Sequence, residues 1–121
     1  MLIYAHRGLS GRYPENTLLA FREALAAGVD GIELDVHVTA DGIPVVIHDR
    51  DVSRTTNGSG NVDAMTLASL QTLDAGSGEH VPTLAEVLWL VGESVHFDIE
   101  IKGLAAECAT LDVLRRFPTT R

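Results

Sequence analysis

Short runs in which apolar and polar residues alternate are separated by longer runs with apolar residues three or four positions apart. This is the pattern of strands joined by helices. The short runs predict strands at residues 2–5, 31–38, 44–48 and 95–102. Asn16 or Thr17 is a candidate cap for a helix running to about Ala27, with Leu18, Phe21 and Leu25 as its buried stripe and Gly28 as its stop. Thr83 and Glu86 have capping-box spacing, which predicts a helix over 84–91. Leu111, Leu114 and Phe117 mark another over 104–117, and a shorter helical stretch is expected at 66–73. Two of the three gaps between strands are long enough for parallel crossovers. The third, 39–43, is too short, so it is read as a helix-less return or as a hairpin turning at Ala40-Asp41-Gly42.

The alternation places chemistry on particular faces. In the second strand Ile32, Leu34, Val36 and Val38 share one side, and Glu33, Asp35 and His37 the other, with the two carboxylates about 7 Å apart. The fourth strand repeats the arrangement, with Phe97, Ile99 and Ile101 opposed to His96, Asp98, Glu100 and Lys102. An inward polar face in a helix-covered sheet makes sense where it lines a site, and a barrel, with its strand ends converging on one mouth, supplies that geometry. Glu33, Asp35 and Glu100 together call for a cation, and their hard oxygen donors favour Mg²⁺ or Ca²⁺. His6 and His48 close the first and third strands, where they suit a general acid and base. A hairpin at Asp41 would set His48 opposite Leu34, level with the two carboxylates. Arg7 and Lys102 suit either phosphate oxygens or ion pairing with those carboxylates. Asp98 and His37 are read as structural or supporting, and His80 and His96 as ordinary surface histidines.

Charge narrows the partners. The 121 residues carry 9 Lys and Arg against 17 Asp and Glu, a net charge of −8, which disfavours nucleic acid and anionic membrane. The chain is 45% hydrophobic, enough for one modest core. A single cysteine, Cys108, excludes an internal disulfide or a Cys-based metal site. No apolar run approaches the ~20 residues of a bilayer helix, and the first residues lack the pattern of a secretory signal, so a cytoplasmic protein with no membrane span is expected.

Seven short motifs stand in order: His6-Arg7-Gly8, Pro14-Glu15-Asn16-Thr17, Glu33-Leu34-Asp35, Thr39-Ala40-Asp41-Gly42, His48-Asp49, Arg54-Thr55-Thr56 and Glu100-Ile101-Lys102. Each alone is weak, but the ordered set resembles the glycerophosphodiester phosphodiesterase family. The resemblance implies an α/β fold, the TIM (β/α)8 barrel, with an insertion after the third strand at about 51–79. It implies that Glu33, Asp35 and Glu100 bind a divalent cation, that His6 and His48 are acid and base, and that Arg7 and Lys102 hold the phosphate. By the same resemblance Asn16 lies at the mouth and Asp49 supports His48. The reaction implied is hydrolysis of a small-molecule glycerophosphodiester to sn-glycerol 3-phosphate and an alcohol. Water attacks directly or, as in the similar phosphatidylinositol-cleaving phospholipases, a substrate hydroxyl attacks first.

A complete barrel takes about 250 residues, roughly 200 at the least. The expectation for residues 1–121 is therefore the first half of a barrel, about four strands, mostly parallel, with crossover helices and the C-terminal half absent. A fragment of low activity ranks first. Self-association through the open barrel edges ranks second, and a non-catalytic cation-binding remnant third. A different metal-dependent barrel phosphodiesterase, such as a lysophospholipase D type, is the alternative activity.

Overall fold

The computed structural model describes residues 1–121. In chain order the elements are β1 (Tyr4–His6), α1 (Leu18–Ala26), β2 (Gly31–Val38), β3 (Pro44–Val46), α2 (Leu67–Leu70), α3 (Leu84–Val91), β4 (His96–Ile101) and α4 (Leu104–Leu114). A single 3-10 turn, Val62–Ala64, precedes α2.

β2 is the central strand. It runs parallel to β1, from Tyr4 opposite Gly31 to His6 opposite Glu33, and parallel to β4, from His96 opposite Gly31 to Ile101 opposite Val36. Its C-terminal end carries β3 as an antiparallel partner, with Val36 opposite Val46 and Val38 opposite Pro44. The short junction at 39–43 is therefore a hairpin. Thr39 organises it: its Oγ1 donates to Asp41 Oδ1 at 2.6 Å and accepts from the Ile43 amide at 3.0 Å.

The strand ends depart from the expected bounds for visible reasons. β1 starts at Tyr4 because the residue opposite Ile3 is Asp30, whose carboxylate takes the Ile3 amide at 2.8 Å in place of a ladder bond. β3 ends at Val46, although the Ile47 amide still donates to the Asp35 carbonyl at 3.0 Å. One residue on, the His48 carbonyl is taken by His37 Nε2 at 2.9 Å, and a side chain has replaced the ladder.

Thr17, not Asn16, caps α1, accepting from the Ala20 amide at 3.2 Å. Thr83 and Glu86 form the capping box at the start of α3, each accepting the other's amide at 3.0 Å. The expected helix at 66–73 shortens to α2, because Gln71 turns its side chain to the Val81 carbonyl and Glu86, each at 3.0 Å. α4 stops at Leu114 and buries Ala106, Thr110 and Val113. Leu111, expected in its stripe, is exposed, since small residues seat the helix on β2 and β3.

Two cores result, and adjacent residues of one strand seed them. Val46 joins Ile32, Leu34 and Val36 of β2, Phe21 of α1 and Leu84, Val87 and Leu88 of α3. Val45 and Ile47 face the other way, toward Val52, Val62, Leu70 and Val81, which gives the segment between β3 and α3 a core of its own. Each fully buried aliphatic or Phe side chain stabilises by roughly 1.5–3 kcal/mol relative to exposure. With the apolar side of β2 fixed against helices, Glu33 and Asp35 must face away from them. No helix is long and apolar enough to cross a membrane.

Candidate functional site

The polar face of the sheet gathers its charge along β2, level with the end of β1 and beside the last residues of β4. Glu33 and Asp35 of β2 and Glu100 of β4 each offer a carboxylate oxygen, and the three oxygens lie within 4.8 Å of one another. Register explains the meeting: Asp35 is directly opposite Glu100.

The three acids differ in their surroundings. Asp35 is 1% exposed and accepts from Asn16 Nδ2 at 3.2 Å, with Arg7 Nε 3.3 Å away. Glu100 is exposed and lies 3.4 Å from Lys102 Nζ. Glu33 has two buried oxygens without a hydrogen bond, with His6 Nε2 3.1 Å from one of them. Burial, and then the charge of Asp35, pushes the Glu33 carboxyl up to about 7 against the opposing pull of Arg7. A buried, unpartnered carboxylate beside two others is what a divalent cation corrects, and a set made only of carboxylate oxygens suits a hard ion. These residues fit one.

The β1–α1 loop wraps this cluster. Arg7 and Asn16 both sit at positive φ, 58° and 56°, and the Asn16 amide donates to the Arg7 carbonyl at 2.9 Å. Asparagine tolerates this conformation better than most residues, whereas arginine there is held by its surroundings. The Arg7 amide donates to the Glu33 carbonyl at 2.9 Å, which ties the loop to β2 beside the acids. His6, at the end of β1, is 65% exposed.

His48 lies in the segment after β3, next to Ile47, whose amide donates to the Asp35 carbonyl at 3.0 Å. Its Nδ1 is 2.7 Å from Asp49 Oδ1. Hydrogen bonds from Arg54, then from His48, hold the Asp49 carboxyl well below the usual range. Asp49 is thus the acceptor, and the His48 ring carries its proton on Nδ1. His37 anchors the backbone of the same residue, as noted above.

The structure therefore brings together Glu33, Asp35, Glu100, His6, Arg7, Asn16 and Lys102, and pairs His48 with Asp49. Two further residues enter that sequence reasoning passed over as site residues. Glu15 accepts from Arg7 Nη1 at 3.4 Å and from Arg54 Nη1 and Nη2 at 2.9 and 3.0 Å. Arg54 also reaches Asp49. Both lie within the ordered motifs, which was the signal available. His80 pairs with Glu86 at 3.1 Å and His96 is exposed, in line with the surface role expected of them. The largest cavity lies elsewhere, between α4 and the β2–β3 hairpin around Ala105, Cys108 and Ala109, and holds no comparable cluster.

Parallel strands with crossover helices, and an acidic cluster that His6 meets at the carboxyl end of β1, define one half of a barrel with its candidate site at the usual face. Comparison with known proteins makes the assignment specific. The glycerophosphoryl diester phosphodiesterase family profile matches residues 6–111. A glycerophosphodiester phosphodiesterase of Caldanaerobacter subterraneus is 51% identical over 110 residues, covering 84% of this chain and 45% of that protein. Glycerophosphodiester phosphodiesterase 1 of Rattus norvegicus is 36% identical over 94% of this chain and 38% of its own length. Among solved structures, an Oleispira antarctica phosphodiesterase in complex with the product sn-glycerol-3-phosphate aligns with a TM-score of 0.92 and 36% identity, over 97% of this chain and 53% of that one. The chain belongs to the glycerophosphoryl diester phosphodiesterase family. It spans about half the length of the relatives it matches.

Proposed function

We propose that this site hydrolyses glycerophosphodiesters to sn-glycerol 3-phosphate and an alcohol, with Mg²⁺ or Ca²⁺ held by Glu33, Asp35 and Glu100. The observation that carries the reading is the meeting of three carboxylates, one with both oxygens buried and without a hydrogen bond, beside His6. The bound cation would supply charge stabilisation for the phosphoryl oxygens. Arg7 and Lys102 flank the acids and hold the remaining phosphate oxygens. With Nδ1 protonated toward Asp49, His48 keeps Nε2 as an acceptor and serves as the base. His6, exposed and next to Glu33, returns a proton to the leaving alcohol. Asn16 fixes Asp35, so that its carboxylate meets the cation in one orientation. The product bound in the Oleispira antarctica neighbour supports the substrate class.

β4 pairs only with β2, so the mouth is walled on one side. We read residues 1–121 as a partial domain, with the segment at 51–79 inserted into it. Further strands, from the rest of a barrel or from a second copy, complete the pocket. The test is an assay of sn-glycerol 3-phosphate release from glycerophosphocholine with Mg²⁺ or Ca²⁺, run beside light scattering of the same sample. Cation-dependent release that EDTA abolishes is expected from an assembled species. A chain that binds neither ion by calorimetry overturns the reading.

A further inference from the structure

One side chain joins the two loops that carry the site. Arg54 Nε donates to Asp49 Oδ2 at 2.8 Å and its Nη2 to Asp49 Oδ1 at 3.2 Å. Its Nη1 and Nη2 donate to Glu15 Oε1 and Oε2 at 2.9 and 3.0 Å. These bonds engage all but one of the guanidinium's N–H donors, so Arg54 is not a phosphate ligand. Each carboxylate it grips touches a residue assigned to the reaction. Asp49 faces His48 Nδ1 at 2.7 Å, and Glu15 faces Arg7 Nη1 at 3.4 Å.

We propose that Arg54 is a positioning residue for the phosphodiester chemistry: by clamping Asp49 to Glu15 it fixes the His48 ring and the Arg7 guanidinium relative to each other. The inference rests on the reaction proposed above. Glu15 belongs to the β1–α1 loop and Asp49 to the segment after β3, and no other side chain hydrogen-bonds both. The fork geometry matters, because a guanidinium can hold two carboxylates bidentately where an ammonium supplies a single point of charge. Its side chain is 49% exposed, and ion pairs so placed add little to stability. What the clamp supplies is orientation. The His48 backbone is held separately, by His37 at its carbonyl and by Ile47 pairing with Asp35, so loss of Arg54 frees the ring without moving the strand.

The test compares the full chain with Arg54→Gln, Arg54→Lys and Glu15→Gln. Long-range ¹⁵N NMR of the imidazoles reads the His48 tautomer, and kcat and KM are measured on glycerophosphocholine in the assembled, cation-loaded protein. Wild type holds the Nδ1–H form. Arg54→Gln shifts His48 toward the Nε2–H form preferred by free imidazole and lowers kcat by about 10- to 100-fold, the range seen when an orienting partner is removed, with KM changed by less than about threefold. Arg54→Lys restores only part of kcat, and Glu15→Gln reproduces the loss in smaller measure. An unchanged His48 tautomer in folded Arg54→Gln overturns the proposal. Should that variant not fold, an unchanged tautomer and kcat in Arg54→Lys overturn it instead. A wild-type protein that releases no sn-glycerol 3-phosphate defeats the reaction reading, while the tautomer still decides for or against the clamp.

Discussion

Glu33 and Asp35 are alternate residues on one face of β2, yet the Asp35 carboxylate is fixed by Asn16 and flanked by Arg7, while the Glu33 carboxylate accepts no hydrogen bond. The consequence is a carboxyl pushed up to about 7, by burial first and by the Asp35 charge second. In the unfolded chain the same group ionises near 4.5. Because the folded value is the higher, the group's contribution to stability is full below about 4.5 and is lost as pH rises through about 7. In EDTA, wild type is expected to lose melting temperature across this window relative to Glu33→Gln, which lacks the titration. Saturating Mg²⁺ or Ca²⁺ abolishes the loss, since a bound cation favours the ionised form. Parallel melting curves for the two proteins would exclude Glu33 as the titrating group.

Asn16 meets two demands at once, a positive φ and a hydrogen bond to a nearly inaccessible carboxylate. Two substitutions separate them. Asn16→Gly keeps the conformation and loses the bond, which is expected to cost about 1–3 kcal/mol because Asp35 is left without that donor. Asn16→Ala loses the bond and adds strain at φ 56°, so it is expected to cost roughly 1 kcal/mol more. Urea unfolding of the three proteins gives the comparison. Equal stability of the Gly and Ala variants would remove the conformational part.

How much of this was legible in the sequence follows from the range of the interactions. β2, the α3 capping box and the Glu33–Asp35 face depend on residues two to four positions apart, and their bounds match the spacing. Glu100 was legible because β4 alternates as β2 does. The link from Glu15 to Arg54 spans 39 positions, and no periodicity encodes it. The exposure of Leu111 was likewise out of reach, because helical spacing defines a stripe but only the elements beneath decide which stripe is buried. The hairpin after β2 was left open by chain length alone; the Thr39 side chain decides it.

The two histidines are expected to separate from the acids in their effects. On the proposed reaction His6→Ala and His48→Ala remove the acid and the base, and each is expected to lower kcat by about 10²–10⁴-fold. Cation affinity should change by less than about threefold in both, because the three carboxylates remain. Glu100→Gln should do the reverse, weakening the cation by at least about tenfold. Isothermal calorimetry beside steady-state kinetics makes the distinction. A histidine variant that loses the cation would move that residue from proton transfer to ion binding.

Two glycines near the site look alike in the sequence and should behave differently. A β-carbon on Gly31 would come within 2.4 Å of the Tyr4 ring, but that ring is the far end of a partly exposed side chain and can swing aside. Gly31→Ala is therefore expected to cost less than about 1 kcal/mol, part of it offset by the smaller entropy loss of alanine on folding. A β-carbon on Gly8 would sit 2.8 Å from the main-chain carbon of Ala20, inside α1, and Gly8 is at φ 79°. Neither the helix backbone nor the dihedral can yield cheaply, so Gly8→Ala should cost roughly 1–3 kcal/mol and displace Arg7, its neighbour at the acids. Thermal unfolding orders the pair, and the Arg7 guanidinium signals report the displacement. A Gly8→Ala protein as stable as Gly31→Ala would mean that the tight packing of the His6-Arg7-Gly8 turn on α1 is not what holds Arg7 at the site.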